Sequence, residues 1–389
     1  MTESQQHATT TNTSNSSSAP AAGRIACIDW MRGLVMVLMI IDHASMAFDG
    51  THVSKDSAMY PDATTVALPA LAFFTRWITH LCAPTFVFLA GTALAISIER
   101  RVMKGTSAWE IDKYIIQRGA VIGLLDLTII SLGSGYLDLG VLLAIGLSMI
   151  CMAGLRRLST PMLLSLAIGW MVFGEWITGM FWQPPGSASP LVSFFIATSG
   201  GTLIVNKYPL IPWLAIMMVG WVTGRYFLLY QAGQRKVRTR SILLAAGLVA
   251  LAIFFLVRGL QGYGDMFLPR ADDSWQQWLH VSKYPPSLTF YALELGILFV
   301  CLWLLAIIEP KIGVRSNGPF LVFGQTAMFF DLVHRIVLEV PATYFGLRGV
   351  GNLTTTYVVA AVMLVLLYPA CLWYRALKSR HPKSFLKYL

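Results

Sequence analysis

Apolar residues gather along this chain into long runs separated by short polar connections. The runs lie at about 27–47, 70–98, 114–134, 137–155, 161–181, 209–230, 241–258, 286–308, 319–340 and 354–374. A run near 20 residues matches what a helix needs to cross the roughly 30 Å hydrocarbon layer at 1.5 Å per residue. The pattern predicts an all-α integral membrane protein, a polytopic bundle of about ten transmembrane helices. The least sharp boundary is SLGSGYLDLG at 131–140, where two adjacent apolar runs and a Gly-rich break favour two helices over one kinked element. Close helix contacts are expected at Gly119-x3-Gly123 and Gly220-x3-Gly224, because small residues let backbones approach.

The connections carry a second signal. ERRVMKG (99–105), LRRLS (155–159), QAGQRKVRTR (231–240), KIGVRSNG (311–318) and the tail from 375 are basic. They alternate with connections poor in Lys and Arg, such as 48–69 and 182–206. Most of the 29 Lys and Arg then fall on one side, the cytoplasmic side by the positive-inside rule. Both termini are expected there, in a cell (inner) membrane. The net charge of +10 is thereby assigned to topology and the lipid bilayer, and no nucleic-acid partner is expected.

Composition agrees, with 56% apolar and 12% charged residues and a mean hydropathy of +0.63. A soluble domain carries about 25% charged residues. Residues 1–23 form a polar tract without aromatic or branched aliphatic side chains, expected as a disordered cytoplasmic tail. The transmembrane domain is expected over 24–375, and 376–389 as a basic cytoplasmic tail. The five cysteines lie in or beside apolar runs with no CxxC or metal-ligand spacing, so they read as packing residues and no metal is expected.

An ionisable residue inside a span costs roughly 2.5–3.5 kcal/mol on insertion scales, so each needs a reason. In the first span Asp29, Arg32, Met36, Met39 and His43 follow alternating spacings of three and four, one stripe along a helix. Arg32 and His43 share a face about 16 Å apart. Two polar groups joined by a pliable Met-lined wall read as a channel for a long ligand; the plainer reading is an Asp29–Arg32 pair at i,i+3 anchoring the interface. His43 suits a general base, since imidazole takes and returns a proton near neutral pH. Asp42 precedes it but points about 100° away.

The second span carries Arg76 and His80 one turn apart, and the ninth carries Asp331 and His334. Lys207 and Lys283 precede the sixth and eighth spans in two similar phrases, NKYPLIPW and SKYPPSLTF. The topology puts His43, His80 and His334 at similar depth near the outer side, with the acids Glu175 and Glu294 somewhat deeper. It fixes depth and leaves azimuth open. Arg118 and Arg225 fall near cytoplasmic helix ends, where snorkelling and phosphate binding both remain open.

Five strings, IDWMRGLVMVLMIIDH (28–43), RWITHLCAPTFVFLAGTALA (76–95), YPLIPWLAIMMVGWVTGR (208–225), KYPPSLTFYALELG (283–296) and FGQTAMFFDLVHR (323–335), make a resemblance. Together they resemble the bacterial branch of the heparan-α-glucosaminide N-acetyltransferase catalytic-domain family, within the wider transmembrane acyltransferase group, over about residues 24–375. The resemblance implies acetyl-CoA, or another acyl-CoA, as cytoplasmic donor and a carbohydrate hydroxyl or amine as acceptor outside. The lysosomal relative suggests a homodimer. The Arg-x10-His spacing also looks like membrane acyltransferases that O-acetylate surface polysaccharides, whose catalytic His corresponds to His43. In the lysosomal enzyme an Asn stands there and the catalytic His follows in the luminal stretch, where this chain has His52.

On this reading His43 deprotonates the acceptor, while His80 and Arg76 orient it or stabilise the oxyanion. Asp42, His52, Asp331 and His334 stand in reserve. Arg32, Met36 and Met39, with Arg118 and Arg225, hold the donor; Lys207, Lys283 and Glu294 meet the acceptor. A proton-coupled secondary transporter and a non-catalytic scaffold of the same fold remain the alternatives.

Overall fold

The computed structural model describes residues 25–131, 136–231, 239–381 and 384. The expected polar tail at 1–23 lies outside the described residues, as do 382, 383 and 385–389 of the basic tail and parts of the connections at 131–140 and 231–240.

Each of the ten apolar runs contains helix among its described residues. In chain order the elements are α1 (Ala26–Phe48), α2 (Ala70–Thr79), α3 (Cys82–Met103) and α4 (Ala108–Leu125), which continues as a π-helical turn (Asp126–Ile130). They continue with β1 (Leu137–Leu139), α5 (Val141–Leu155), α6 (Thr160–Phe181), α7 (Pro190–Phe195), β2 (Ser199–Gly200) and β3 (Ile204–Asn206). Then come α8 (Leu210–Gln231), α9 (Thr239–Leu260), α10 (Trp275–Leu279), α11 (Leu288–Ile312), α12 (Pro319–Gln325), α13 (Ala327–Tyr344) and α14 (Leu353–Arg380). Among the described residues seven helical segments are long and apolar enough to cross a membrane, or eight if the bent pair α12–α13 is one span. The remaining runs fall short: α5 has 15 residues, and α4 carries several charges. Large apolar side chains such as Phe173, Trp176, Val249, Phe255 and Val365 stay exposed on α6, α9 and α14. Surfaces of that kind suit lipid contact, and the chain is an integral membrane protein of all-α class.

Local chemistry explains the element ends. Ser107 and Glu110 form a capping box at the start of α4, and Asn352 and Thr355 do so at α14. Ser159 and Ser287 cap α6 and α11. The second run is interrupted between α2 and α3 because Pro84 has no N–H to give the His80 carbonyl four residues earlier. The ninth run, expected as one helix, bends by 91° between α12 and α13. Thr326 sits at the bend, its hydroxyl donating to the Val322 carbonyl at 2.8 Å. The expected basic tail begins as helix, since α14 runs on through Arg380.

The core surrounds α1, which packs against α2, α3, α11, α12, α13 and α14. Gly33 and Gly324 allow α1 and α12 to meet backbone to backbone. A Cβ on Gly33 would lie 1.9 Å from the Phe320 carbonyl oxygen, and one on Gly324 1.9 Å from that of Asp29. At the expected close contacts, a Cβ on Gly220 would come 2.0 Å from the Phe88 oxygen of α3, and one on Gly119 2.5 Å from the Gly146 oxygen of α5.

A cap of connections closes the bundle end that carries His43. Here β1 pairs parallel with β3, with Leu137 opposite Ile204, and β2 pairs antiparallel with β3. The amides of Lys283 and Tyr284 donate to the Asp56 carbonyl, tying 49–69 to 280–287. Arg258, fully buried in the last turn of α9, pairs with Asp265 and donates to the carbonyls of Leu268, Gln277 and His280. The Glu175 carboxylate accepts from the amides of Gly264 and Met266, so this expected buried acid fastens the same cap.

Candidate functional site

Three cavities follow one another along α1. The widest, about 710 Å³, is lined by Asp29, Arg32, Arg100, Arg101, Lys104 and Gln325 among others. A second, about 290 Å³, shares Arg32 and Gln325 with it and continues between Leu94, Arg118, Ile145, Met149 and Met328. The third, about 120 Å³, takes in Asp42, His43, His52, Arg76, Lys207, Lys283 and Arg335. Met39, Phe86, Val141, Leu142 and Asp331 line both the second and the third, and form the partition between them. The stripe on α1 thus carries a basic vestibule at one end and an imidazole chamber at the other.

His43 Nδ1 lies 2.6 Å from His334 Nε2, with the rings within 6° of parallel. His334 Nδ1 lies 2.8 Å from the Phe330 carbonyl oxygen. That oxygen only accepts, so His334 Nδ1 carries the hydrogen. For two neutral rings the rest follows. His334 Nε2 accepts, His43 Nδ1 donates, and the His43 lone pair sits on Nε2. Arg335 Nη1, which can only donate, approaches that nitrogen at 3.3 Å. The His43 Nε2 lone pair therefore faces the chamber, where it accepts from the Arg335 guanidinium.

A second group anchors the wall. Arg76 Nη1 donates to both oxygens of Asp42 at 2.7 and 3.0 Å, while its Nε and Nη2 donate to Asp56 at 3.0 and 2.7 Å. Thr79 donates to Asp42 at 2.8 Å. Burial alone would raise the Asp56 carboxyl, but Arg76 and His80 outweigh it and hold the group well below the usual carboxylate range. His80 Nε2 stands 3.2 Å from Asp56 without hydrogen-bond geometry, and neither of its ring nitrogens has a hydrogen-bond partner among the described residues. Its ring lines none of the three cavities. His52 Nδ1 lies 2.8 Å from the Ser45 hydroxyl at the chamber edge. Burial, aided by Arg76, pulls its pKa below the ordinary imidazole value.

The other expected residues divide. Arg32 donates to Asp29 and to the Gly324 carbonyl, both at 3.0 Å, and lines the vestibule and the middle cavity. Arg118 lines the middle cavity. Met39 belongs to the partition, but Met36 is fully buried in the core and lines none of these three cavities. Arg225 is held by Glu99 and by the carbonyls of Leu158 and Arg156, away from the cavities. Glu294 is buried outside the chamber lining, one oxygen without a hydrogen-bond partner among the described residues. Asp331 lies on the partition, while His334 bonds instead to His43 and Phe330.

Sequence reasoning missed Arg335, Asp56, Asp126, Asp138 and the vestibule cations Arg100, Arg101 and Lys104. Arg335 follows His334 directly, which was a usable signal. The vestibule cations were visible in ERRVMKG and were read only for topology. Asp126 and Asp138 also line the chamber, and Asp126 accepts from the Leu143 amide at 2.7 Å.

No curated protein matches the chain. A family model described as "Heparan-alpha-glucosaminide N-acetyltransferase, catalytic" matches residues 24–258, more than half of the sequence. The matched stretch contains Arg32, His43, Arg76, Lys207 and the vestibule cations; His334 and Arg335 lie beyond it. With that match joined to a multi-span bundle built around the Arg32-to-His43 stripe, the chain belongs to the heparan-α-glucosaminide N-acetyltransferase catalytic-domain family, a family of transmembrane acetyltransferases.

Proposed function

We propose that the protein moves an acetyl group from cytoplasmic acetyl-CoA to a sugar hydroxyl or amine on the opposite side of the membrane. The observation that carries this reading is the Phe330–His334–His43 chain, which leaves a lone pair on Nε2 facing the chamber. The vestibule supports it, since Arg32, Arg100, Arg101 and Lys104 offer the donors and charge that CoA phosphates require. The pantetheine arm then follows the middle cavity, past Leu94, Ile145, Met149 and Met328, towards the partition, over the roughly 16 Å that separates Arg32 from His43 along α1.

In the chamber the acceptor displaces Arg335 from His43 Nε2. That nitrogen takes the acceptor proton as the oxygen or nitrogen bonds to the thioester carbonyl carbon. The tetrahedral intermediate collapses, the C–S bond breaks, and the proton passes from Nε2 to the departing thiolate. His334 holds the tautomer and shares the imidazolium charge through Nε2. The guanidinium of Arg76 is already committed to two carboxylates, so Arg335 is the better-placed cation for the oxyanion. Arg76 keeps Asp42 and the chamber wall in place, and His80 supports Asp56.

The test is thiol release and acetyl transfer in proteoliposomes with acetyl-CoA and a panel of sugar acceptors. His43→Ala is expected to lower turnover by about 10²–10⁴-fold with donor affinity retained, the range general-base catalysis supplies. Unchanged turnover in a correctly inserted variant would sink the assignment. A carboxylate on the partition, Asp331, is the feature a proton-coupled transporter would use; sugar flux without thiol release would select that reading.

A further inference from the structure

The two Lys-Tyr-Pro phrases, far apart in the sequence, meet at the chamber. The Tyr208 and Tyr284 hydroxyls lie 3.2 Å apart, and their rings cross at 78° with centroids 5.4 Å apart. Lys283 Nζ lies 5.3 Å and Lys207 Nζ 5.8 Å from the centre of the Tyr284 ring. Burial would push the Tyr284 phenol up, but Lys283, Arg76 and Lys207 outweigh it and hold it below the ordinary value. Both lysines line the same cavity as His43, and Lys283 is only 3% exposed.

Neither ammonium makes a hydrogen bond or an ion pair with any described residue. The acids around them are engaged elsewhere or act on them only from beyond ion-pair distance. Asp42 belongs to Arg76 and Thr79, and Asp126 to the Leu143 amide. Asp138 acts on Lys207 through space, as Glu294 and Asp42 do on Lys283, and none of the three forms an ion pair with either lysine. A buried ammonium without an anion is expensive, and a chain that keeps one facing a cavity has a place for an anion there.

We infer that the paired Lys-Tyr-Pro turns form an anion subsite in the His43 chamber, selecting a reactant that carries a carboxylate, sulfate or phosphate. The anion is borne either by the acceptor sugar or by the far end of a dicarboxylic acyl group. Only the assignment to one of these reactants rests on the acyl-transfer reading.

The full chain in detergent is titrated calorimetrically with two matched pairs, glucuronate against glucose and succinyl-CoA against butyryl-CoA. The anionic member of one pair is expected to bind about 10- to 100-fold more tightly, as charge-assisted hydrogen bonds allow. That preference falls to near unity in Lys283→Gln and shrinks in Lys207→Gln, while both variants keep the wild-type melting point and affinity for CoA itself. Preference within the sugar pair puts the anion on the acceptor; preference within the thioester pair puts it on the acyl group. Equal binding in both pairs, or a preference that survives Lys283→Gln, overturns the subsite. Selective binding without thiol release would leave the subsite standing and remove the acyl-transfer reading instead.

Discussion

The two ends of α1 solve opposite electrostatic problems. At the Arg32 end a cavity of about 710 Å³ is lined by four cations and one acid, Asp29. At the His43 end a chamber of about 120 Å³ holds Asp42, Asp126, Asp138 and Asp331 against Arg76, Lys207, Lys283 and Arg335. A wide cavity of one sign attracts an anion at modest cost, because water still screens its walls. A small buried chamber cannot carry that excess, so most of its charges face an opposite one, with Lys207 and Lys283 left without a directly paired anion among the described residues. On the proposed function, donor binding falls to the first region, and proton transfer with the anion subsite to the second.

This contrast can be broken by substitutions at either end. The largest effect is expected from Arg76→Ala, which leaves Asp42 and Asp56 buried without their shared cation. A loss of about 3–5 kcal/mol is expected, read as a collapse of the melting transition in detergent. Arg101→Ala in the vestibule should leave melting nearly unchanged, so equal losses would erase the distinction. Next comes Arg32→Gln, which should raise the donor KM about 10- to 100-fold while turnover at saturation stays near wild type. The wild-type donor KM should also rise with salt, and a salt-independent KM would deny the vestibule its electrostatic role.

The smallest effect concerns pH and the cap. Burial, against the pull of Asp56, holds the His280 pKa below its ordinary value, with Nε2 donating to the Lys55 carbonyl. The folded state then binds this proton less readily than the unfolded chain does. The stability it contributes is complete above about pH 6.5 and is lost as pH falls through the lower folded value. His52 is shifted the same way and adds to the slope. Melting points should fall between pH 6.5 and 5, less steeply in His280→Gln. An identical slope would show that the cap plays no part.

Length and hydropathy made all ten helical runs legible, and basic loops ordered the histidines by depth. Azimuth was the missing quantity. At 100° per residue Met36 sits about 40° to one side of Arg32 and Met39 about 20° to the other. That is enough for Met39 to reach the partition and Met36 to turn into the core. Depth alone grouped His80 with His43, yet packing turned His80 towards Asp56 and brought in His334. The bend at Thr326 was hidden because α12 and α13 share one apolar run. It arises where Gly324 meets α1 and its carbonyl accepts from Arg32, a contact between residues almost 300 positions apart. The short strands were equally silent, since two or three residues carry no periodicity.

The glycine contacts have a mechanical consequence. Gly33 and Gly324 clasp α1 to α12, and Gly119 and Gly146 clasp α4 to α5, each pair too tightly to admit a methyl group. The middle cavity lies between these two clasped pairs and α3, with Arg32 and Met39 on one jaw and Arg118, Ile122, Leu142 and Ile145 on the other. Neither helix of a clasped pair can peel from its partner without losing that contact, so any widening of the partition is expected to move each pair as a unit. A covalent staple within either jaw should be harmless, while one joining the jaws should hold the vestibule and the chamber apart.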